Sequence, residues 1–221
     1  MAIVQSTESL RPVQAIIFDL DNCLVPGDAI GRTAYEPAFE AIRRVNNGTL
    51  SDAELAAAFA DMWRHSVDDV ARRHRFTADM LEAGWQVFAR MEARAPMQGY
   101  PDLGLLAELP VPRFLVTTGF RRLQESKIAA LGLHAHFTEI RIDVVDEPGR
   151  KGKQQLFHEI QQAYQFAPRQ VLVVGDNADS EIRAGNNLGM TTVQILRPGV
   201  PFGSNATHHI NGLEALRGLL S

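Results

Sequence analysis

The chain predicts a doubly wound α/β fold, with a parallel sheet flanked by helices and a helical insertion after its first strand. Short, nearly continuous apolar runs recur along it, and unbroken apolar character marks strands covered on both faces, as in a parallel sheet. Helix-like stretches separate most of these runs, the β-α alternation of right-handed crossovers. The segment from about Thr33 to Arg94 breaks that alternation: rich in Ala, Glu and Arg, it reads as helix throughout.

The first strand is Ala15–Phe18, and the following stretch through Pro26-Gly27 reads as its exit loop. Within the helical insertion, Leu55, Phe59, Met62 and Trp63 fall on one face, and Leu81, Trp85 and Phe88 on another. Ser51-Asp52-Ala53-Glu54 is a capping box, and Thr77 or Asp79 opens a later helix. Ala95-Pro96-Met97-Gln98-Gly99-Tyr100-Pro101 is the return hinge. Strands then follow at Arg113–Val116, Ile140–Val145, Val171–Val174 and Thr192–Leu196, with helices at Arg121–Leu131, Gln154–Tyr164, Asp179–Leu188 and Leu213–Leu220. These boundaries divide the chain into a core of residues 1–25 and 96–221 and a helical unit of residues 26–95.

Composition narrows the function classes. The 221 residues suit one ordinary domain plus a smaller one, and 45% hydrophobic content supports a packed core. A net charge of −4 gives no global field to attract nucleic acid or an anionic membrane. Cys23 is the only cysteine, so no internal disulfide can form; it reads as a small packing residue. Residues Met1 to Arg11 lack a basic-then-apolar leader, and no apolar run approaches the ~18–20 residues that span a bilayer. The expectation is a cytoplasmic protein. Oligomeric state is open.

Polar residues that carry chemistry cluster just beyond strands. Asp19 and Asp21 leave the first strand, Thr117, Thr118 and Gly119 the second, and Gly175-Asp176 with Glu181 the fourth; the cationic loop Gly149-Arg150-Lys151-Gly152-Lys153 precedes a helix. In a parallel sheet such strand ends gather on one edge. Two carboxylates as close as Asp19 and Asp21 repel each other unless a cation or proton offsets the charge, and magnesium takes such hard oxygen ligands. The set suits phosphoryl transfer, in which metal, cation and hydrogen-bond donors offset the phosphate charge while one carboxylate attacks and another moves protons.

The order Phe18-Asp19-Leu20-Asp21-Asn22-Cys23-Leu24, then Leu115-Val116-Thr117-Thr118-Gly119, then a Lys loop, then Val174-Gly175-Asp176 with Glu181, resembles the haloacid dehalogenase-like hydrolase superfamily. The resemblance covers nearly the whole chain. It implies a Rossmann-like core, with the insertion as a helical cap domain of the C1 type.

It also implies roles. Asp19 would be the nucleophile and a magnesium ligand. Asp21 would be the general acid/base, with its main-chain carbonyl on the metal. Thr117 would donate to the phosphoryl group, Thr118 and Gly119 would line the substrate, and Asp176 would complete the metal ligands with Glu181 in support. The motif lysine is either Lys151, 25 residues before Asp176 with Arg150 beside it, or Lys153, 23 before it. The reading favours Lys153, because Gly152-Lys153 looks like a helix start. Asn22 stands where Gly is commoner, Cys23 where Thr is usual, and Thr118 where many relatives have Asn.

The implied activity is magnesium-dependent hydrolysis of a small phosphorylated metabolite (a sugar phosphate, a nucleotide or a phosphoglycolate-like ester) through an aspartyl-phosphate. Alternatives on the same fold are a phosphomutase, a dehalogenase, a phosphonate hydrolase and a non-catalytic binding relative. Asp21 argues against the dehalogenase, and the absence of lysine from Thr33–Arg94 against a phosphonate hydrolase that uses a Schiff base there. The basic cluster Arg72-Arg73-His74-Arg75 reads first as a solvated helix end and second as an attractor of anionic substrate. His208-His209 reads as surface or loop.

Overall fold

A computed structural model describes residues 13–94 and 96–220. The leader-free reading of Met1 to Arg11, and Ala95 of the return hinge, lie outside the described residues.

Six strands form one parallel sheet: β1 (Ala15–Phe18), β2 (Arg113–Gly119), β3 (Glu139–Val144), β4 (Val171–Gly175), β5 (Thr191–Ile195) and β6 (His208–Ile210). Their order is β3-β2-β1-β4-β5-β6, all neighbours parallel. β1 is wholly buried because successive side chains enter two different apolar layers. Ile16 and Phe18 pack with Leu115, Leu172 and Val174 on one face; Ala15 and Ile17 pack with Phe114, Val116, Val171 and Val173 on the other. This is why the sequence shows continuous rather than alternating apolar strands.

Among the described residues, four α-helices lie between β1 and β2: α1 (Glu36–Val45), α2 (Asp52–Asp61), α3 (Val67–Arg73) and α4 (Ala78–Phe88). The Ser51/Glu54 capping box is present, and Thr77 rather than Asp79 caps α4 by accepting from the Met80 N–H at 3.2 Å. Leu55, Phe59 and Met62 are buried as the periodicity predicts, joined by Tyr35, Phe39 and Ile42. On α4 the buried stripe is Met80, Gly84 and Phe88, with Leu81 and Trp85 only partly covered. The offset has a cause: a Cβ on Gly84 would stand 2.9 Å from Ile42 Cδ1, so Gly84 lets α1 and α4 approach closely. Phe120, Leu123 and Val145 from the sheet side complete this helical core.

Beyond β2 come α5 (Arg121–Ala130), α6 (Gly152–Ala163) and α7 (Arg183–Asn187). Two expected helices take other forms. The stretch expected from Asp179 opens as a π-helical turn, Ala178–Ile182, before α7, and the C-terminal helix is a 3₁₀ segment, Leu213–Leu219. His208-His209, expected at the surface or in a loop, lies in the short edge strand β6, with His208 exposed and His209 half-buried.

Candidate active site

The strand order reverses at β1 and β4, where a doubly wound sheet opens a crevice beyond its strand ends. Phe18 pairs with Val174, and the Asp19 N–H still donates to Val174 O at 2.9 Å, so Asp19 and Asp176 emerge side by side. After Asp19 the chain turns sharply. Asn22 takes φ +56°, the left-handed region that favours Gly and tolerates Asn, and its Oδ1 accepts from the Gly27 N–H at 3.0 Å. Asn thus replaces the commoner Gly without steric conflict. The buried Cys23 side chain packs against β4, its thiol pushed up by burial.

Lys153 reaches this crevice from the first turn of α6. Its Nζ donates to Asp19 Oδ1 at 2.7 Å and to Glu181 Oε2 at 2.8 Å. Burial alone would lower its pKa, but Asp19 and Glu181 outweigh that and hold it as an ammonium. Lys151, the other sequence candidate, is exposed and pairs with Glu159 at 2.8 Å, outside the site. The separation comes from the turn between them, where Gly152 has φ +76°. Asp143 at the end of β3 fixes that turn: it accepts from the Gly152 N–H (2.9 Å), Arg150 Nε (2.9 Å) and Thr118 Oγ1 (3.1 Å). Asp143 carried no recognisable motif; only its place at a strand end could have marked it.

Glu181 reaches back over the end of β4 through the π-helical turn. Its Oε1 accepts from the Asn177 N–H at 2.5 Å, so both of its oxygens are engaged. Asp19, Asp176 and Glu181 each offer an oxygen, all within 4.8 Å of one another. Burial, reinforced by the neighbouring acids, pushes the carboxyls of Asp19 and Asp176 well above the usual range. Asp176 Oδ2 is buried with no hydrogen-bond partner, and the nearest cation, Arg64 Nη2, stays 4.0 Å away. Three buried carboxylates, one of them with an orphaned oxygen on Asp176, form an oxygen donor set that fits a hard divalent cation.

Asp21 turns to the other side of the crevice. Lys127 Nζ donates to its Oδ1 at 2.8 Å and Gln124 Nε2 to its Oδ2 at 3.0 Å, while Gln124 Nε2 also lies 2.6 Å from Thr117 Oγ1. Lys127 is buried, yet Asp21 and Tyr35 offset the desolvation and hold its pKa above the ordinary lysine value. Thr117 is buried, the hydroxyl of Thr118 is engaged by Asp143, and Gly119 lines the same cleft. Gln124 and Lys127 escaped the sequence reading because they sit in a helix with no flanking signal. Their spacing of three, which places both on one face of α5, was the available clue.

A cavity of about 170 Å³ lies over these groups. Its far wall comes from the helical segment: Tyr35, Met62, Trp63, Arg64, His65 and Ser66. That wall is tied to the sheet side by Asn22 Nδ2 to Trp63 O (3.1 Å), Asn177 Nδ2 to Arg64 O (3.4 Å) and Arg64 Nη1 to Gly199 O (3.0 Å). None of Arg72, Arg73, His74 or Arg75 lines the cavity. Arg72 pairs with Asp69, and His74 with Asp61 at 2.7 Å.

The sheet order brings strand-end carboxylates together around a buried lysine, the site of a doubly wound α/β protein. Residues 13–189 match the haloacid dehalogenase-like hydrolase family, and the chain belongs to that family. It is similar to a glyceraldehyde 3-phosphate phosphatase of Methanopyrus kandleri, 29% identical over 201 residues that cover 84% of each chain. It is also similar to a phosphoserine phosphatase of Thermus thermophilus, 28% identical over 182 residues, 79% of this chain and 70% of the other. In fold it is similar to a haloacid dehalogenase-like hydrolase of Streptococcus pneumoniae, with a TM-score of 0.68 at 19% identity, over 93% of this chain and 98% of that one.

Proposed function

We propose that this protein is a magnesium-dependent phosphatase that hydrolyses a small phosphorylated metabolite through an aspartyl-phosphate on Asp19. One observation carries the reading: Asp19 is held by Lys153 at 2.7 Å, beside the unpartnered Asp176 Oδ2, at the floor of a covered cavity. The two similar proteins that are named phosphatases support it. Residues 26–95 would act as a cap, and a cavity of about 170 Å³ suits a small ester better than a macromolecule.

Asp19 and Asp176 would hold the magnesium ion, with the Asp21 main-chain carbonyl and Glu181 in support. The bound ion would neutralise phosphate charge and so let an anionic nucleophile approach. In the first step the Asp19 carboxylate attacks phosphorus and the ester P–O bond breaks. Asp21 protonates the departing oxygen. In the second step Asp21 takes a proton from water, whose oxygen attacks phosphorus; the bond to Asp19 breaks, and phosphate and the free carboxylate are restored. Lys153 orients Asp19 and neutralises charge as the phosphate arrives. Thr117 donates to a phosphoryl oxygen. The ties at Trp63 and Arg64 help exclude water from the closed cleft.

The test is turnover of an aryl phosphate with magnesium, followed by a panel of sugar phosphates, nucleotides and phosphoglycolate. Asp19→Asn is expected to abolish turnover; full activity in that variant overturns the reading.

A further inference from the structure

We propose that Gln124 is a positioning residue that aims the hydroxyl proton of Thr117 at the phosphate, an inference that rests on the phosphatase reading. Gln124 is 2% exposed. Its Nε2 faces three oxygens: Thr117 Oγ1 at 2.6 Å, Asp21 Oδ2 at 3.0 Å and Thr118 O at 3.3 Å. The Thr118 carbonyl can only accept, and so can Asp21 Oδ2 in the ionised form of Asp21, which is the form before it takes up the proton it delivers; its other oxygen is engaged by Lys127 at 2.8 Å. An amide oxygen turned toward these two would face lone pairs with lone pairs, so the NH₂ group must occupy this position. Thr117 Oγ1 therefore accepts from Gln124, and its own proton is left to point elsewhere. Thr117 and Asp21 both line the cavity above Asp19, which is where a phosphoryl oxygen would take that proton.

Gly119 gives this arrangement its space. A Cβ there would stand 2.9 Å from both Cγ and Cδ of Gln124, so any side chain at 119 would displace the amide. One buried amide thus links the residue proposed to bind phosphate with the residue proposed to move protons. Removing it frees the Thr117 hydroxyl to donate to Asp21 or to the Thr118 carbonyl instead.

Tungstate, a tetrahedral oxyanion, is the probe. Its binding to the full chain with magnesium is measured by calorimetry for the wild type, Gln124→Met, Thr117→Val, Thr117→Ser and the combined variants, beside aryl phosphate kinetics. Gln124→Met is expected to weaken tungstate about tenfold when residue 117 is Thr or Ser, and less than twofold when it is Val. A merely structural role predicts equal losses in all three backgrounds, and that result overturns the proposal, as does undiminished binding in Gln124→Met or no binding to the wild type. Should Gln124→Met fail to fold, Gly119→Ala is expected to give the same pattern. A chain that binds tungstate with this pattern yet hydrolyses no phosphate ester refutes the phosphatase reading while leaving the role of Gln124 intact.

Discussion

Gly175 lies directly beneath Glu181: a Cβ on Gly175 would collide with Cγ, Cδ and Oε1 of Glu181. The glycine serves for close approach rather than for an unusual backbone angle. Because Glu181 also accepts from Lys153 at 2.8 Å, and Lys153 donates to Asp19 at 2.7 Å, the contact reaches the proposed nucleophile through two bonds. Gly175→Ala is expected to push Glu181 out of place, cost about 1–3 kcal/mol of stability and lower turnover at least tenfold. Thermal unfolding and aryl phosphate kinetics check it; wild-type turnover with a lowered Tm would confine the glycine to a packing role.

The two lysines of the Gly149–Lys153 loop should separate cleanly. Lys153→Ala removes the ammonium from Asp19 and Glu181, and a loss of two to three orders of magnitude in kcat is expected, roughly that of a preorganised charge in a buried site. Lys151→Ala removes only an exposed pair with Glu159 and should stay within about twofold of wild type. Steady-state kinetics on both variants decide which lysine belongs to the site.

Stability without metal should fall as pH rises. Asp19 is raised from 3.8 to about 7 and Asp176 to about 8, chiefly by burial and then by the neighbouring acids. Between pH 4 and 8 the folded chain therefore holds protons that the unfolded chain has released. Stability from these groups is full at the acid end and is lost as pH climbs through that window. Magnesium should reverse the trend by binding the ionised carboxylates, so its effect on Tm should grow from pH 5 to pH 8. Scanning calorimetry with chelator or with magnesium measures this, and a magnesium effect independent of pH would remove Asp19 and Asp176 from the ligand set.

A structural ion pair offers a separate test of the fold. Arg197 is buried, donates to both oxygens of Asp102 at 2.8 Å and to Cys23 O at 3.0 Å, and stacks over Tyr100 at 4.2 Å. It fastens the loop after Asp21 to the chain beyond β5. Burial would raise the Asp102 pKa, but bonds from Arg197 and the Leu213 N–H prevail and hold it below the usual value. That contribution is present above pH 4 and is lost as pH falls through the depressed value. Arg197→Met should cost about 1–3 kcal/mol by leaving the half-buried Asp102 with the Leu213 N–H as its remaining partner from that network, and denaturant unfolding at pH 7 gives the number.

How much of this was legible in the sequence depended on range. β1, β2 and β4 could be read because their apolar runs are continuous; Asp19 and Asp176 stand just beyond two of those strands, and Glu181 was singled out by the resemblance to the superfamily's motif spacing. The Ser51/Glu54 box is local chemistry and was equally clear. β6 was missed because His208 and His209 are polar residues on a sheet edge, where the sequence pattern demands little. The π-helical turn at Ala178–Ile182 was read as ordinary helix because only the reach of Glu181 back over Gly175 reveals it. Gln124 and Lys127 act on Asp21, 103 and 106 residues away, a pairing that their local spacing of three does not disclose, whereas Asp143 acts on the nearby Gly152 turn without a motif to mark it.

The link between the two wings of the cleft gives the last prediction. Arg150 Nε bonds Asp143 on the sheet side at 2.9 Å, while its Nη1 bonds Asp68 on α3 at 2.5 Å, so a single guanidinium spans loop and helical segment. Asp68→Ala cuts only the second bond and leaves the Asp143 anchor of the Lys153 turn in place. A partly buried pair of this kind is worth about 1 kcal/mol, so closure should weaken and KM rise about fivefold while kcat stays within twofold. Hydrogen exchange should quicken across residues 63–70 and remain slow in β1 and β4. A fall in kcat with unchanged exchange would mean that Asp68 acts on the chemistry through Arg150 rather than by holding the helical segment closed.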